Sequence, residues 1–292
     1  MLRIPAWFHP DYAYAQVPLL ARLDVSRARM QRLGLIELHA ATPIAPDLLQ
    51  GLHEPHYLRA FLQGVEPLAF SQGIAWSPGV RDSALAMLGG QIQAARHALE
   101  GPDGIAMNIA RGFHHAHPAG GSGFCPLNGL ALVAHVFPRL RIMVIDCDEH
   151  GGNGTEEFAA RMPNLYAASV FGTRFGCMGG RRSWAWQVKQ GEGFSRYQAV
   201  LDEIGQLAGS IAPDLILYQA GADCHHADPK SRLRLTTREM FRRDLAVFAI
   251  ARRLRVPILF VLAGGYQSAE RVAYLNANTV RAARRVWGRI AG

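Results

Sequence analysis

Short apolar runs alternate with helix-like segments through most of this sequence, and this alternation constrains the fold more than any other feature. The predicted strands are 105–109, 142–145, 165–170, 215–219 and 257–262. The predicted helices are 81–99, 128–136, 195–208 and 236–254, the last with capping-box spacing between Thr236 and Glu239. Strands that alternate with helices are typical of an α/β fold with a mostly parallel central sheet and helices on both faces.

The length of the chain leaves its domain count open, because 292 residues exceed the roughly 150 of an average domain. No stretch has the composition of a linker, so we predict a single domain over residues 1–292. Many prolines and only short apolar stretches occur in the first 80 residues, and there we predict an irregular N-terminal layer.

Composition and residue spacing exclude several classes of protein. Hydrophobic residues make up 49% of the chain and charged residues 18%, which is too apolar for a disordered chain. No apolar run reaches the roughly 18 residues of a membrane span, and the polar N-terminus lacks the apolar core of a signal peptide. The four cysteines are far apart and form no C-x-x-C pair. We therefore expect a cytoplasmic protein without a disulfide framework or a thiolate zinc site.

Polar side chains gather directly after four of the predicted strands. They are His114 and His115; Asp146, Asp148 and His150; Asp223; and Tyr266 with its preceding glycines. The carboxyl ends of parallel strands lie along one edge of a sheet, where ligands bind in open α/β folds. Four segments that are distant in sequence would meet there, which predicts an active site at the C-terminal ends of the strands.

The segment that contains Asp146, Asp148 and His150 suits a divalent cation. Side chains alternate along an extended chain, so these three share one side. With Asp223 as a further oxygen donor, Asp148 and His150 would complete a set of three protein ligands, as in a catalytic zinc site. Such a set also suits Fe²⁺, Mn²⁺ or Co²⁺. Taken alone, the same segment is equally typical of a turn that caps a helix.

His114 and His115 stand next to each other in a loop rich in glycine. Imidazole titrates near neutral pH, so such a pair can move protons to and from a water molecule and a leaving amine. A single histidine is more often structural. We predict that the other histidines near the motifs, His117, His225 and His226, are solvated loop residues rather than alternative ligands.

Tyr266 follows two glycines, a pattern that favours a flexible turn presenting the phenol. Its hydroxyl would donate a hydrogen bond to an oxyanion formed at the metal. The alternative is a core tyrosine after a tight turn.

Several motifs together resemble the histone deacetylase superfamily, which has the arginase/deacetylase fold. They are a paired-histidine loop and a Gly-Phe-Cys segment within 112–128, an Asp-x-Asp-x-His motif within 146–155, a Gln-x-Gly-x-Asp motif at 219–223, a Gly-Gly-Tyr turn at 264–266, and a His-x-x-x-Tyr-Leu segment within 52–58. They occur in the order typical of the family. The Phe-His-His loop and the Gly-Gly-Tyr-Gln turn most resemble class IV deacetylases and their bacterial relatives.

The resemblance implies a zinc-dependent amidohydrolase that removes acyl groups from lysine side chains in proteins or peptides. Asp148, His150 and Asp223 would bind Zn²⁺, which holds a water molecule and polarises the acyl carbonyl. His115 would be the main general base and then the acid toward the leaving amine. Asn153, a neutral residue where class I members carry an aspartate, would hold His115 without raising its pKa.

The resemblance assigns further roles. His114, oriented by Asp146, would give electrostatic support, and Tyr266 would donate to the oxyanion. Gly151 and Ala263 depart from common family residues, and neither change removes a metal ligand. The acyl-lysine channel would be lined by Phe124, Gly123, Gly264 and Gly265. A structural K⁺ site would involve Asp146, Asp148, His150 and Ser169.

Three alternatives stay open. The first is an amidohydrolase of acetylpolyamines or other small acylamines, and the second is a binuclear-metal ureohydrolase on the same fold. The third is a non-catalytic protein that binds nucleic acid or acyl-lysine, suggested by the formal charge of +8. Arg281, Arg285 and Arg289 recur on one helix face, with Arg284 beside it, but the end of a solvated helix explains them better. We therefore predict an acylated amine, and neither a membrane nor a nucleic acid, as the partner.

Overall fold

Strands and helices alternate along most of the part described by this computed structural model, residues 2–288. The strands are β1 (Ile4–Phe8), β2 (Ile36–Ala40), β3 (Ile105–Arg111), β4 (Ile142–Asp146), β5 (Leu165–Phe171), β6 (Ser183–Gln187), β7 (Leu215–Ala220) and β8 (Ile258–Leu262). The α-helices are α1 (Pro18–Arg32), α2 (Pro55–Gln63), α3 (Pro78–Glu100), α4 (Gly129–Val136), α5 (Asn153–Arg161), α6 (Gly193–Ile211), α7 (Thr237–Leu254) and α8 (Ala269–Trp287).

The strands form one sheet in the order β2-β1-β3-β8-β7-β4-β5-β6, and every neighbouring pair is parallel. Every residue of β3, β4, β7 and β8 is buried, as expected for central strands that are covered on both faces. The prediction of an α/β fold with a parallel central sheet is confirmed.

The helices divide into two layers according to the direction in which the chain moves across the sheet. Right-handed crossovers put connections of opposite direction on opposite faces. On one face α1 packs on α8, α8 on α7, and α7 on α6, whereas α3, α4 and α5 form the other layer. None of the helices in the described part is long and apolar enough to cross a membrane.

The N-terminal residues were predicted to be irregular, and that prediction is wrong. They contain β1, α1, β2 and α2, and the two strands extend the sheet beyond β3. The prolines are the physical reason, because Pro18, Pro55 and Pro78 each occupy the first position of a helix. Proline fits there, since its missing N–H would have no partner within the helix in any case.

The sheet order places β3, β8, β7 and β4 side by side. These are the four strands whose carboxyl ends carry the paired histidines, the Gly-Gly-Tyr turn, Asp223 and the Asp-x-Asp-x-His motif. Because the strands are parallel, all four groups reach the same edge of the sheet. The fold therefore brings together the segments that the sequence predicted to meet.

Stability of the sheet can be tested at two leucines in opposite environments. Leu217 in β7 is 1% exposed, whereas Leu38 in edge strand β2 is 38% exposed. We expect Leu217→Ala to lower the free energy of unfolding by about 2–5 kcal/mol, through lost burial and a residual cavity. The matched change Leu38→Ala should cost about 1 kcal/mol or less. Urea unfolding followed by circular dichroism measures both, and equal losses would contradict the placement of β7 at the centre.

Candidate active site

Asp148, His150 and Asp223 form a cluster whose potential ligand atoms all lie within 4.8 Å of one another. His150 Nδ1 is 3.2 Å from Asp148 Oδ1 and 3.3 Å from Asp223 Oδ2. Asp223 is wholly buried, and its Oδ2 accepts no hydrogen bond from the described residues. Two buried carboxylates and an imidazole that face one another, with an oxygen left over, fit a divalent cation.

Backbone N–H groups from neighbouring loops hold these carboxylates in position. Gly264 donates to Asp148 Oδ2 at 2.7 Å, and Glu149 donates to Asp223 Oδ1 at 3.0 Å. A Cβ on Gly264 would lie 1.8 Å from Asp223 Oδ2, so no other residue fits at this position. Gly264 thus positions the two carboxylates of this cluster, and its predicted place beside a substrate channel stays a prediction.

The charges of the cluster favour a bound cation. Burial, reinforced by the negative charge of Asp148, raises the pKa of Asp223 to about 6. Burial opposes a protonated His150, but the two carboxylates beside it raise its pKa to about 10. Without a cation, the pocket therefore disfavours the ionisation of both aspartates at once, and it favours the binding of a positive charge.

The paired histidines lie beside this cluster and differ in their partners. The His114 and His115 rings are 3.9 Å apart between centroids. His114 Nδ1 is 2.7 Å from Asp146 Oδ2, and His115 Nδ1 is 2.7 Å from Asn153 Oδ1. Burial opposes the charged form of His114, yet Asp146 and Asp148 raise its pKa above the ordinary value. Burial and the neighbouring charge of His114 hold the pKa of His115 well below its usual range.

A chain of hydrogen bonds fixes the tautomer of His115. His117 Nδ1 pairs with Glu157 Oε2 at 2.7 Å, so His117 Nε2 is free to accept from Asn153 Nδ2 at 3.1 Å. The amide oxygen of Asn153 then faces His115 and accepts from its Nδ1–H, which leaves His115 Nε2 as a base. His117 is therefore not simply solvated, and the prediction overlooked its role together with that of Glu157.

The other two histidines lie outside this chain of hydrogen bonds. His225, which was also predicted to be solvated, is wholly buried, and its Nε2 lies 3.0 Å from Thr237 Oγ1. The hydroxyl of this helix residue fixes the ring, so that prediction is wrong. His226 is exposed, as predicted.

Aromatic side chains form the walls of the entrance. Phe124 lies 6.4 Å from Tyr266, and Phe175 lies 4.1 Å from His115, between ring centroids. Gly123 leaves room for His115, because a Cβ there would come within 2.4 Å of the imidazole. The sequence interpretation missed Phe175, although this residue also follows the carboxyl end of a strand, β5.

Three cationic side chains surround Tyr266. Lys230 Nζ lies 4.1 Å from the centroid of its ring, and Arg22 Cζ lies 5.7 Å from it. Arg111 is the third, and its charge acts on the Tyr266 hydroxyl. The Tyr266 N–H donates to Asp228 Oδ2 at 2.6 Å. Tyr266 is thus part of the site rather than of the core, and none of these cations was predicted to belong there.

Ser169 lies opposite Asp146 in the parallel pairing of β5 and β4. Its hydroxyl accepts from the Gly152 N–H at 3.1 Å. The residues predicted for K⁺ are thus brought together, and the binding of that ion stays a prediction.

Known proteins resemble this chain over most of its length. Residues 19–283 match the model of the histone deacetylase domain. The chain is 32% identical to an uncharacterized protein of Picosynechococcus sp., over 97% of this chain and 99% of that protein. It is 31% identical to histone deacetylase 2 of Arabidopsis thaliana, over 84% of this chain and 67% of that protein. Acetylpolyamine amidohydrolase 1 of Pseudomonas aeruginosa is 29% identical over 51% of this chain and 48% of its own length.

A solved structure shares the fold. The crystal structure of acetylpolyamine aminohydrolase from Burkholderia pseudomallei superposes with a TM-score of 0.80. The match covers 99% of this chain and 100% of that chain at 20% sequence identity.

Metal binding can be measured without any substrate. We expect Zn²⁺ to raise the thermal midpoint of metal-free protein, because binding to the native state stabilises it by about 2.7 kcal/mol at a hundredfold excess over Kd. Asp223→Asn should weaken binding by more than about 100-fold, since loss of a mere supporting residue already costs about 10–100-fold. Asp202→Asn, the same change at an exposed position on α6, is the control. An equal Zn²⁺ response in all three proteins would contradict the assignment of the cluster.

Proposed function

Since the chain belongs to the family of proteins with a histone deacetylase domain, we propose that it is a zinc-dependent amidohydrolase whose substrates are N-acyl-lysine side chains of proteins or peptides. The observation that carries the proposal is the position of His115. A neutral imidazole with a free Nε2 lies beside a cluster suited to a metal ion and opposite a phenol. Together these three components can activate a water molecule, polarise an amide carbonyl and stabilise the oxyanion that forms during hydrolysis.

The ion held by Asp148, His150 and Asp223 would supply Lewis-acid activation of water and of the amide carbonyl. His115 Nε2 takes a proton from the water molecule as its oxygen bonds to the carbonyl carbon. The same imidazole returns the proton to the amide nitrogen as the C–N bond breaks, so the products are a carboxylate and a free amine.

The remaining side chains stabilise charge and hold the substrate. His114, whose charged form is favoured by Asp146, lies close to the developing negative charge, and the Tyr266 hydroxyl donates to the carbonyl oxygen. Phe124 and Phe175 hold the chain that carries the amide and keep bulk water away from it. We assign the K⁺ site near Ser169 a structural role in this proposal.

Acetylpolyamines are the second substrate class, favoured by the relative of that name in Pseudomonas aeruginosa. A binuclear ureohydrolase is less well supported. In residues 2–288 one group of three potential metal-ligating side chains is found, which suits a single catalytic ion. A count near one Zn²⁺ per chain by elemental analysis would agree with this assignment, and a count near two would contradict it.

Activity should depend on His115 and Tyr266 much more than on similar residues elsewhere. We expect His115→Ala and Tyr266→Phe each to lower kcat/KM on acyl-lysine peptides by about 10²–10⁴, through loss of the base or of a hydrogen-bond donor. His226→Ala and Tyr274→Phe are matched controls outside the proposed machinery. Retained activity in both site variants, or no turnover of any acylated amine by the metal-loaded protein, would overturn the proposal.

Asn153, the neutral partner of His115, should influence how activity depends on pH. His115 must be neutral to act as the base. Because its pKa is lowered, it stays neutral at pH values below the ordinary pKa of a histidine side chain. Asn153→Asp would place a carboxylate on Nδ1 and raise that pKa, by about one to three units for a close pair. The acidic limb of the kcat/KM profile should therefore move to higher pH. Asn278→Asp on α8 adds the same charge elsewhere and should leave the limb in place.

A further inference from the structure

Arg111 is a buried cation whose charge the catalytic scheme does not use. It ends strand β3, three residues before His114, and its side chain is 6% exposed. Its Nη1 is wholly buried and has no hydrogen-bond partner among the residues that the structure describes. A buried guanidinium without a full set of partners is costly, so such a group calls for a ligand.

The guanidinium is directed toward the active site. Arg111 pairs with Leu262, four residues before Tyr266, at the carboxyl ends of β3 and β8, so its side chain begins at the edge of the sheet where the site lies. There its charge acts on the Tyr266 phenol and on the Cys125 thiol.

Exposure defines an outer and an inner end of the channel. Phe175 is 40% exposed and Lys230 is exposed, so these residues mark the mouth. Arg111 is only 6% exposed, so it marks the buried end. A lysine attached to a protein must enter from the mouth, so the nitrogen side of the amide faces outward. The acyl group therefore points inward, toward Arg111.

The inner end also carries an excess of positive charge. Burial and the charge of Arg111 lower the pKa of Arg22 to about 10, so both side chains remain cations at neutral pH. With a divalent ion bound, Asp148 and Asp223 would be neutralised. Asp228 would then face Arg22, and Lys230 adds a further cation at the mouth. A polyamine, which is itself a cation, suits such a channel poorly.

Resting on the amidohydrolase function proposed above, we propose that Arg111 binds a carboxylate at the inner end of the channel. The preferred substrates are then amides of dicarboxylic acids, such as Nε-succinyl- or Nε-glutaryl-lysine. The bond cleaved and the fate of the proton are unchanged, and the acid released is a dicarboxylate. A free carboxylate such as acetate can bind a guanidinium through the same interaction. The experiment below distinguishes the carboxylate of the acyl group from a free carboxylate.

The test compares two peptides that differ only in charge, one with Nε-succinyl-lysine and one with its neutral amide, Nε-succinamoyl-lysine. For the native enzyme we expect kcat/KM to be at least about tenfold higher for the succinyl peptide, as for a hydrogen bond to a charged group. In Arg111→Met and Arg111→Gln this ratio should fall to about one. Arg3→Met removes the same charge at the amino end of β1 and should keep the native ratio.

Each other outcome overturns a stated part of the inference. A native ratio of one or less, with turnover of neutral acyl-lysine, overturns the carboxylate preference and leaves the amidohydrolase intact. Acetate inhibition that disappears in Arg111→Met, together with a native ratio of one, would assign Arg111 to the product instead. Turnover of neither peptide nor of acetyl-lysine by the Zn²⁺-loaded protein overturns the proposed function itself. The native ratio needs no variant, so poor folding of Arg111→Met cannot hide the result.

Discussion

The buried guanidinium of Arg243 joins the two loops that carry the candidate metal ligands Asp148 and Asp223. It is wholly buried, and its Nη1 donates to the Cys147 carbonyl at 3.1 Å and to the Gly221 carbonyl at 2.7 Å. Cys147 directly precedes Asp148, and Gly221 lies two residues before Asp223. Asp244 balances the charge at 2.8 Å. Removing such an ion pair from water costs free energy, so the pair adds little to the stability of the fold. We interpret its role as geometric, because it sets the spacing of the two ligand loops.

The same network reaches the sheet and the helices behind it. Asp244 accepts from the Tyr218 hydroxyl in β7 and from Thr279 in α8, the latter at 2.7 Å. The position of the ligand loops is therefore coupled to the packing of α7 and α8 on the sheet. A site built in this way is already organised before a ligand arrives, which is the arrangement that electrostatic catalysis requires.

Residues next to strands were predictable, and residues that reach the site from elsewhere were not. Asp148, Asp223, His115 and Tyr266 follow strands whose apolar runs are clear in the sequence, so the topology alone determined that they would meet. Arg243 lies within a helix, and nothing in the local sequence marks it as facing two carbonyl groups. The two short N-terminal strands were missed because nearby prolines, which in fact begin helices, concealed the alternation.

Arg111 and Phe175 show a second limit of prediction, because their roles depend on which way a side chain points at a strand end. Phe113, Phe124 and Phe175 all have φ between 48° and 64°, a region that residues other than glycine rarely adopt. Such a conformation costs roughly 1 kcal/mol or more at each residue. Three of the seven described non-glycine residues with positive φ thus lie around the crevice, together with the opposed carboxylates and the Arg111 Nη1 that lacks a partner among the described residues. Features that cost stability persist where function requires them. The unpartnered guanidinium beside this crevice supports assigning Arg111 to the substrate rather than to the core.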